Sequence, residues 1–432
     1  MLGLGYIGLP TSIVFAEAQC EVVGFDIDHA RVAKINLCDP VISEPEVFER
    51  LRPVIENKQF RATTVLENSD CFIIAVPTPI TTSKQADLSY VWQAAKILGT
   101  QLKAGDLVIL ESTVPVGTTQ KLQTLLHAQT GLLAGQDYAL AFSPERVLPG
   151  KIFHELQHNH RIVGGIDQVS GLRAQALFKK ISIHEPTITD SATAELVKLV
   201  ENSARDSQLA FAYQVASMAR TAQCDPYQVI ALANMHPRVK ILTPTCGVGG
   251  HCLAVDPWFL VETFPAETGL LKLAREINDQ VPAQVLLIID QKITALKTCQ
   301  LQTAQPTIPI ATNPTDPTTH PSSQLETILV HITPLQVLVL GLTYKANSDD
   351  LRESPAIKIA LELQARTDIT LTICEPYLDQ ATILRSGFTT SLEITDLDLN
   401  ITKFDLAILL VGHTQFKQVA QQPKIINFSG LI

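Results

Sequence analysis

Short apolar runs alternate with longer amphipathic stretches along most of the chain. The clearest runs are Cys71–Val76, Leu107–Leu110 and Tyr138–Phe142. Each is long enough for one buried strand, and the stretch between two runs is long enough for a helix. The pattern predicts an α/β fold with doubly wound, mostly parallel sheets.

Two long stretches with few helix breakers, at about residues 190–223 and 270–298, predict extended central helices. From residue 299 the composition changes to Thr, Pro, Gln and Ser, which is typical of a linker. Strand-like runs return at Val337–Leu340, Ile369–Cys374 and Leu406–Val411. We therefore divide the chain into a first α/β domain (1–189), a central helical domain (190–298), a linker (299–324) and a second α/β domain (325–432).

The chain opens with a glycine pattern that is typical of dinucleotide binding. Gly3, Gly5 and Gly8 form G-x-G-x-x-G, and a helical stretch, Pro10–Ala18, follows. Such glycines allow a tight turn, close approach of a pyrophosphate and packing of a helix on the sheet. Asp26 lies 18 residues after Gly8, where an acid is expected to bind the ribose hydroxyls. Because this acid would repel a 2′-phosphate, NAD is favoured over NADP.

The strand that should precede this fingerprint is almost absent, because only Met1 and Leu2 come before Gly3. The central strand of a doubly wound sheet is buried on both faces and pairs with two neighbours. We therefore expect the first strand to be missing, its neighbours to lack a partner and the phosphate loop to be poorly anchored.

Polar loops follow three of the predicted strands. They carry Thr78, Thr113 and the sequence Ser143–Val147, which contains Glu145 and Arg146. The carboxyl ends of parallel strands meet at one edge of the sheet, so these loops are expected to form one ligand crevice. A carboxylate beside a guanidinium is a candidate functional pair, although a surface ion pair is the plainer interpretation.

One face of the first long helix is expected to be polar, because Lys198, Asn202 and Arg205 fall at i, i+4 and i+7. Charged residues on a helix are usually solvated. Here they lie among apolar residues such as Leu199 and Leu209, which indicates a polar stripe that lines a cleft. A lysine in such a stripe is a candidate for proton transfer.

The stretch Gly247–Pro257 (GVGGHCLAVDP) places one cysteine between glycines and an aspartate. The glycines permit close backbone approach and place Cys252 on a tight turn. On these residues alone, a buried structural thiol and an exposed nucleophile are both open, because free cysteine is often buried.

Composition excludes several classes of function. The net charge of −10 argues against non-specific nucleic-acid binding. The eight cysteines lack C-x-x-C pairs, so neither a zinc site nor a disulfide framework is expected, and no metal is predicted. This cysteine usage fits a reducing cytoplasm, and no apolar run is long enough for a membrane span.

Seven segments occur in an order that resembles one family across nearly the whole chain: GLGYIGLP, STVPVGT, SPERVLPG, AELVKLVENSARD, HPRV, GVGGHCLAVDPW and GLTYKANSDDLRESP. Together they resemble the UDP-glucose/GDP-mannose dehydrogenase family. Within it, SPERVLPG and GGHC-x-x-VDP are similar to the branch that oxidises UDP-N-acetylhexosamines. The resemblance implies an NAD-dependent oxidation of C6 of UDP-N-acetyl-D-mannosamine to the uronate used for surface polysaccharides.

The resemblance also implies roles for individual residues. Cys252 would form a thiohemiacetal and then a thioester, Lys198 and Asn202 would stabilise the oxyanion, and Asp256 and Thr113 would activate the hydrolytic water. Glu145 is a further catalytic candidate. The implied cofactor-binding residues are Gly3, Gly5, Tyr6, Ile7, Gly8, Asp26, Thr78, Thr113 and Arg352. The implied substrate-binding residues are Arg146, Val147, Lys198, Asn202, Arg205, His236, Arg238, Gly249, Tyr344 and Lys345.

In this family the 1–189 domain would bind NAD, the central domain would carry the catalytic residues and form a homodimer, and the last domain would bind the nucleotide sugar. Arg238 would be contributed across the dimer interface. Three alternatives stay open: UDP-N-acetylglucosamine or UDP-glucose as substrate, a catalytically silent nucleotide-sugar binder that lacks the first strand, and a two-electron hydroxyacid dehydrogenase that needs no cysteine.

Overall fold

The computed structural model describes residues 1–39, 41–42, 44, 46–148, 150–303, 333–390 and 401–430. The chain forms two compact units. Unit 1 contains Met1–Ala210 and His251–Glu276, and unit 2 contains Phe211–Gly250 and Ile277–Ile432. The segment that we predicted as a separate central domain is thus shared between the two units.

Unit 1 is built on parallel strands with helices between them. Its strands are β1 (Val22–Phe25), β2 (Phe60–Thr63), β3 (Cys71–Ile74), β4 (Leu107–Leu110), β5 (Ala139–Phe142), β6 (Ile162–Gly165) and β7 (Thr187–Asp190). The helices between them are α1 (Gly8–Glu17), α2 (His29–Asn36), α3 (Val47–Glu56), α4 (Ser89–Gly99), α5 (Thr118–Thr130), α6 (Ile152–His158) and α7 (Gln168–Phe178).

Four helices follow, of which two are long, with 31 and 35 residues. They are α8 (Ser191–Thr221), α9 (Pro226–Ala233), α10 (Asp256–Thr263) and α11 (Gly269–Thr303). Both α8 and α11 continue from unit 1 into unit 2. The helix α11 includes the first residues of the predicted linker, and the rest of that linker lies outside the described residues.

The strands of unit 1 lie in the order β3-β4-β5-β6-β7, with β1 and β2 paired beside them. All these pairs are parallel except β5 with β6. The strands β4 and β5 are buried along their whole length, as expected for strands covered by helices on both faces. Two apolar clusters, centred on Ile109 and Leu110, pack on the two sides of the sheet.

Leu2 occupies the place of the first strand between β1 and β3. It forms parallel bridges to Phe25 and to Ile74. Its amide donates to the Ile73 carbonyl (2.7 Å), and its carbonyl accepts from the Ala75 amide (2.8 Å). On the other side, the Phe25 amide donates to the Met1 carbonyl and the Gly3 amide donates to the Phe25 carbonyl, both at 2.8 Å.

Met1 and Leu2 are the described residues that precede the glycine fingerprint. The expectation that the neighbouring strands lack a partner holds only in part, since Met1–Gly3 join the carboxyl ends of β1 and β3. The expectation of a poorly anchored loop was wrong, because these hydrogen bonds fix the chain immediately before the loop. Met1 and Leu2 are enough to connect the ends of β1 and β3, because each of the two bridges uses the backbone groups of a single position, Leu2.

The C-terminal part of unit 2 is a second α/β layer. Its strands are β8 (Leu335–Leu340), β9 (Ile369–Cys374), β10 (Leu406–Leu409) and β11 (Ile425–Asn427), and its helices are α12 (Pro355–Gln364) and α13 (Gln380–Arg385). The strand order is β11-β10-β8-β9, and all pairs are parallel. The predicted α/β class with two doubly wound layers and long central helices is confirmed.

We predict that Leu2→Ala lowers the free energy of unfolding by about 2–5 kcal/mol, because Leu2 is fully buried among Phe25, Phe72 and Ile74. Chemical denaturation monitored by circular dichroism measures this. Leu37→Ala is the matched control, since Leu37 is 79% exposed. Equal stability of the two variants would contradict the packing of the Leu2 side chain in the core of unit 1.

Candidate active site

The glycine-rich loop leads directly into α1. Gly3 has a positive φ of 94°, and a Cβ there would lie 2.5 Å from the Ala75 carbonyl oxygen. At Gly8, a Cβ would lie 1.9 Å from the Gly3 carbonyl oxygen. A Cβ at Gly5 would meet no atom within 4 Å. The chain's own packing therefore requires Gly3 and Gly8, whereas Gly5 leaves open space beside a helix N-terminus that fits a pyrophosphate.

Asp26 follows β1 and is held at the edge of this loop. Its Oδ2 accepts from the Leu4 amide (2.9 Å) and from Arg31 Nη1 (3.1 Å), and its Oδ1 accepts from the Asp28 amide (3.0 Å). The carboxylate retains lone pairs for ribose hydroxyls. The donor set of the loop and Asp26 therefore fits an NAD molecule. Tyr6 and Ile7 lie in the same loop and are partly buried.

The loops after β3 and β4 carry Thr78 and Thr113, both partly buried. Ser112 Oγ donates to the Val76 carbonyl (2.7 Å), which ties the two loops together. The two threonines are therefore presented at neighbouring strand ends, as the sequence predicted, although their contact with a cofactor stays a prediction.

Glu145, at the end of β5, is bound by Arg161 rather than by the side chain of the adjacent Arg146. Arg161 is buried; its Nη2 donates to Glu145 Oε2 (2.6 Å), and its Nη1 donates to Glu111 Oε1 (3.2 Å). Burial raises the pKa of Glu111 to about 7, against the opposing charge of Arg161.

Arg146 forms a two-point ion pair with Glu201 of α8, at 3.0 Å from Nε and 2.5 Å from Nη2. Its Nη1 donates to the His160 carbonyl at 2.7 Å. With His158 and Asn159 these residues line a cavity of about 390 Å³. Val147, the next residue, is partly buried. The substrate-binding role of Arg146 and Val147 stays a prediction.

One face of α8 carries a row of polar residues that are spaced by three or four positions. Glu195, Lys198 and Asp206 are buried, and Asn202 is partly buried. Arg205, which we expected to share this face with Lys198 and Asn202, is exposed. The next residue, Asp206, takes the buried position because it lies eleven residues after Glu195, close to three turns of 3.6 residues, and so shares its face.

Asp256 joins Lys198 and Asn202 in one cluster. It begins α10, is 3% exposed, and its Oδ2 accepts from Asn202 Nδ2 at 2.6 Å. Burial raises the pKa of Asp256 to about 6, while the charge of Lys198 and the bond from Asn202 oppose that shift. A carboxylate that titrates near neutrality is suited to act as a general base.

Cys252 lies on a turn immediately before α10. Its carbonyl accepts from the amides of Val255 (3.0 Å) and Asp256 (2.8 Å), and its side chain belongs to an exposed residue. Cys246, six residues earlier, is buried, and burial raises the pKa of its thiol to about 12. The buried-thiol interpretation therefore describes Cys246, and Cys252 is the accessible thiol of the two.

The remaining predicted residues lie in unit 2. A Cβ at Gly249 would lie 2.7 Å from Tyr344 Cβ and 2.8 Å from the Glu353 carbonyl oxygen, so glycine permits this close packing. Lys345 follows Tyr344 and is partly buried.

Arg352 binds Asp350 through Nε (2.8 Å) and Nη2 (2.5 Å). His236 and Arg238 are exposed in the segment after α9.

A buried Glu375–His413 pair orders the loop that holds Tyr344 and Lys345. His413 Nδ1 accepts from the Asn347 amide (2.9 Å), so its Nε2 carries the proton and donates to Glu375 Oε2 (3.1 Å). Glu375 Oε2 also accepts from the Leu342 amide (2.7 Å). These bonds fix both ends of the loop.

Sequence reasoning missed several buried ionic residues of the site. These are Glu111, Arg161, Glu195, Asp206 and Arg275, and Arg275 binds Asp206 (2.5 Å) with both side chains 1% exposed. The spacing of Glu195 and Asp206 from Lys198 and Asn202 was the available signal, because all four repeat every three or four residues.

Three family models match successive parts of the chain. They are the UDP-glucose/GDP-mannose dehydrogenase NAD-binding domain (residues 1–182), the central domain (192–280) and the UDP-binding domain (338–428). The match to the first model confirms the expected NAD cofactor, and the match to all three confirms the predicted family resemblance.

Similar proteins cover nearly the whole chain. The NDP-N-acetyl-D-galactosaminuronic acid dehydrogenase of Ralstonia nicotianae is 38% identical over 426 residues, which is 97% of this chain and 91% of the relative. The UDP-N-acetyl-D-mannosamine dehydrogenase of Escherichia coli K12 is 38% identical and is covered to 94%. The structure of the UDP-D-ManNAc dehydrogenase of Pyrococcus horikoshii matches with a TM-score of 0.80 at 34% identity, covering 99% of this chain and 92% of that one.

The described residues lack two further features. None of the helices in the described residues combines the length and apolar character that a membrane span requires. The same residues contain no group of three or more side chains arranged to hold a metal ion.

We predict opposite consequences for two glycines of the fingerprint. Gly8→Ala should lower the melting temperature, because its methyl group would overlap the Gly3 carbonyl. Gly5→Ala should preserve the melting temperature but weaken NAD binding at least tenfold, since its methyl group would fill the space for the pyrophosphate. Calorimetric NAD titration and thermal denaturation separate the two effects. Unchanged NAD affinity in Gly5→Ala would contradict the proposed position of the pyrophosphate.

We predict that Asn202→Leu moves the acid limb of the kcat/KM–pH profile to higher pH. Removal of the Asn202 hydrogen bond destabilises the ionised Asp256, whose pKa is already raised to about 6, so the base form appears only at higher pH. Gln208→Leu, at an exposed position on α8, is the control and should retain the wild-type limb. A wild-type limb in Asn202→Leu would exclude Asp256 as its source.

Proposed function

Because the chain belongs to the UDP-glucose/GDP-mannose dehydrogenase family, we propose that it oxidises C6 of UDP-N-acetyl-D-mannosamine to the uronate with two NAD molecules. The product, UDP-N-acetyl-D-mannosaminuronate, would serve surface-polysaccharide synthesis. The curated Escherichia coli relative and the Pyrococcus horikoshii structure, whose names state this substrate, support the choice.

The observation that carries the proposal is the Lys198–Asn202–Asp256 cluster beside the exposed Cys252 in unit 1. The Cys252 carbonyl bonds to the Asp256 amide, so the thiol and the carboxylate belong to one short turn. Asn202 bonds to the Asp256 side chain, and the charge of Lys198 acts on it. Nucleophile, base and cation are therefore held by the same small set of contacts.

In the first oxidation, the C6 alcohol loses a proton and a hydride and becomes an aldehyde. Bound NAD supplies the hydride acceptor in both oxidation steps. We assign Lys198 to the C6 oxygen, where an ammonium stabilises negative charge as it develops. Asn202 would donate to the same oxygen or to a water, and burial of Lys198 and Asp256 strengthens these interactions.

In the second oxidation, the Cys252 thiolate adds to the aldehyde carbon and gives a thiohemiacetal. Loss of the second hydride turns it into a thioester. Water then attacks the thioester carbon, releases the carboxylate and regenerates the thiol. We assign activation of this water to Asp256 or Thr113, with Glu145 as a further candidate. Cysteine suits these steps because thiolate is both a strong nucleophile and a good leaving group.

For the nucleotide sugar we propose the basic residues at the ends of several elements: Arg146, Arg205, Arg238 and Lys345. Guanidinium groups bind phosphate oxygens in two-point geometry. The sugar itself would be selected by His236, Val147, Gly249 and Tyr344. In the cofactor site, Arg352 would complete the set formed by Gly3, Gly5, Gly8, Asp26, Thr78 and Thr113.

The substrate assignment is tested by following NADH with UDP-N-acetylmannosamine, UDP-N-acetylglucosamine, UDP-N-acetylgalactosamine and UDP-glucose. The galactosamine sugar is included because the Ralstonia relative is named for its uronic acid. We expect the highest kcat/KM with UDP-N-acetylmannosamine and two NADH per sugar consumed. Turnover of UDP-glucose alone, or one NADH per sugar, would refute the proposal.

We predict that Cys252→Ala abolishes uronate formation, with a loss of at least a hundredfold in kcat, because no thioester can form. Cys224→Ala is the matched control, since Cys224 is also an exposed thiol. Chromatography of the nucleotide-sugar products measures the uronate. Full activity of Cys252→Ala would favour the alternative of a two-electron dehydrogenase.

The alternative of a catalytically silent nucleotide-sugar binder comes from the two-residue first strand. It predicts that UDP-sugars bind while NAD does not. Calorimetry with NAD and with UDP on the same preparation distinguishes the two cases. We expect binding of both, because the backbone bonds of Leu2 and Gly3 fix the start of the loop.

We further propose a cytoplasmic homodimer that is assembled through the central helices, with Arg238 contributed to the partner's site. Exposed apolar residues on α8, including Leu196, Val200 and Met218, support a buried interface. The eight cysteines lack C-x-x-C pairs, which fits a reducing compartment. Light scattering tests the dimer, and a monomer with full activity would contradict it.

A further inference from the structure

Glu195 is a fully buried carboxylate on α8, and its hydrogen bonds leave that helix. Its Oε2 accepts from the Gly117 amide (2.6 Å), and its Oε1 accepts from both the amide (2.8 Å) and the hydroxyl (2.6 Å) of Thr119. Three donors thus converge on one carboxylate. All of them come from the segment that connects the β4 loop to α5.

The first turn of α5 has no acceptor of its own for these amides. Gly117 precedes the helix at a φ of 90°, and its lack of a side chain means that it caps nothing. Helix N-termini usually take this acceptor from the residue at the cap. Here the acceptor comes from another helix, 76 residues further along the chain from Thr119.

A side-chain cap at position 117 is not available, because a serine or aspartate would be strained at the φ of 90° that Gly117 adopts. Burial raises the pKa of Glu195 even though three hydrogen bonds oppose the shift, which shows that desolvation of this carboxylate is substantial. Glu195 therefore caps α5 from another helix and also ties the start of α5 to α8.

Glu195 joins the two parts of the proposed site. On α8 it precedes Lys198 by one turn of the same buried face. On the other side it holds the end of the loop that carries Thr113, and Ser112 holds the start of that loop through the Val76 carbonyl. The Thr113 loop is thus fixed at one end to the sheet and at the other to the helix of Lys198.

We propose that Glu195 is a positioning residue, which sets the distance between the Thr113 loop and Lys198 and so couples NAD binding to the chemistry at C6. The proposal rests on the function proposed above for Thr113 and Lys198. It assigns Glu195 no contact with NAD or substrate, because the two oxygens are fully engaged by Gly117 and Thr119.

Glu195→Gln is the principal test. An amide has one acceptor oxygen and one NH₂ group, so the variant must place a donor against either the Gly117 or the Thr119 amide. The loop then loses its fixed position. We expect KM for NAD to rise and kcat to fall, each at least fivefold, and NAD affinity measured by calorimetry to fall in parallel.

Asp167→Ala is the matched control for loss of a cap. Asp167 precedes α7, and its side chain accepts from the Ser170 amide. It should show a comparable fall in melting temperature with unchanged kinetic constants. If Glu195→Gln lowers the melting temperature but leaves kcat and KM unchanged, as Asp167→Ala should, then Glu195 is a structural cap and the proposal is overturned.

Thr119 provides a second test if Glu195→Gln does not fold. Thr119→Val removes one of the three donors, and Thr119→Ser retains it. We expect KM for NAD to rise at least twofold in Thr119→Val and to stay at the wild-type value in Thr119→Ser. Equal values in both variants would contradict the proposal.

A double-mutant cycle separates this inference from the proposed function. If Glu195 acts through the Thr113 loop, Glu195→Gln should have a much smaller effect in a Thr113→Ala background than in the wild type. Fully additive effects would overturn the positioning role. A wild-type protein that binds NAD but oxidises no nucleotide sugar would instead refute the proposed function, and the same cycle read by NAD affinity would still test Glu195.

Discussion

A charged side chain is stable in a protein interior only when partners replace the water that it loses, and α8 buries three of them on one face. Each recruits a different part of unit 1. Glu195 holds the start of α5, Lys198 acts on Asp256, and Asp206 pairs with Arg275 of α11. The helix therefore determines where the start of α5, the turn that leads from Cys252 to Asp256, and the first part of α11 lie within unit 1.

The same requirement distinguishes the carboxylates of the site. Glu195 receives three hydrogen bonds, Asp26 receives three, and Asp256 receives one from a side chain and the charge of a lysine. Burial raises the pKa of Asp256 to about 6, and the charge of Lys198 and the bond from Asn202 oppose that shift. These carboxylates thus differ in how many hydrogen bonds hold their oxygens.

Much of the fold was predictable because most strands are short apolar runs and several loops contain glycine or proline. Ile369–Cys374 and Leu107–Leu110 were predicted with the observed bounds. The tight turn at Cys252 followed from its glycines, whereas the exposure of this residue was left open by the sequence. The partners of buried charges were not predictable, since Arg161 meets Glu111 across 50 residues and Asp206 meets Arg275 across 69. Helical periodicity identifies the polar face that includes Asp206, but it does not identify Arg275 as the partner that Asp206 meets there.

Unit 1 is discontinuous, and this has a consequence for synthesis on the ribosome. The sheet and α8 up to Ala210 are made first, but His251–Glu276, which supply Asp256 and Arg275, emerge only after the first part of unit 2. Domains generally fold as units from the N-terminus. Until residue 276 has left the ribosome, Asn202 and Asp206 lack these partners. The ribosome must therefore add at least 66 residues after Ala210 before unit 1 can be complete.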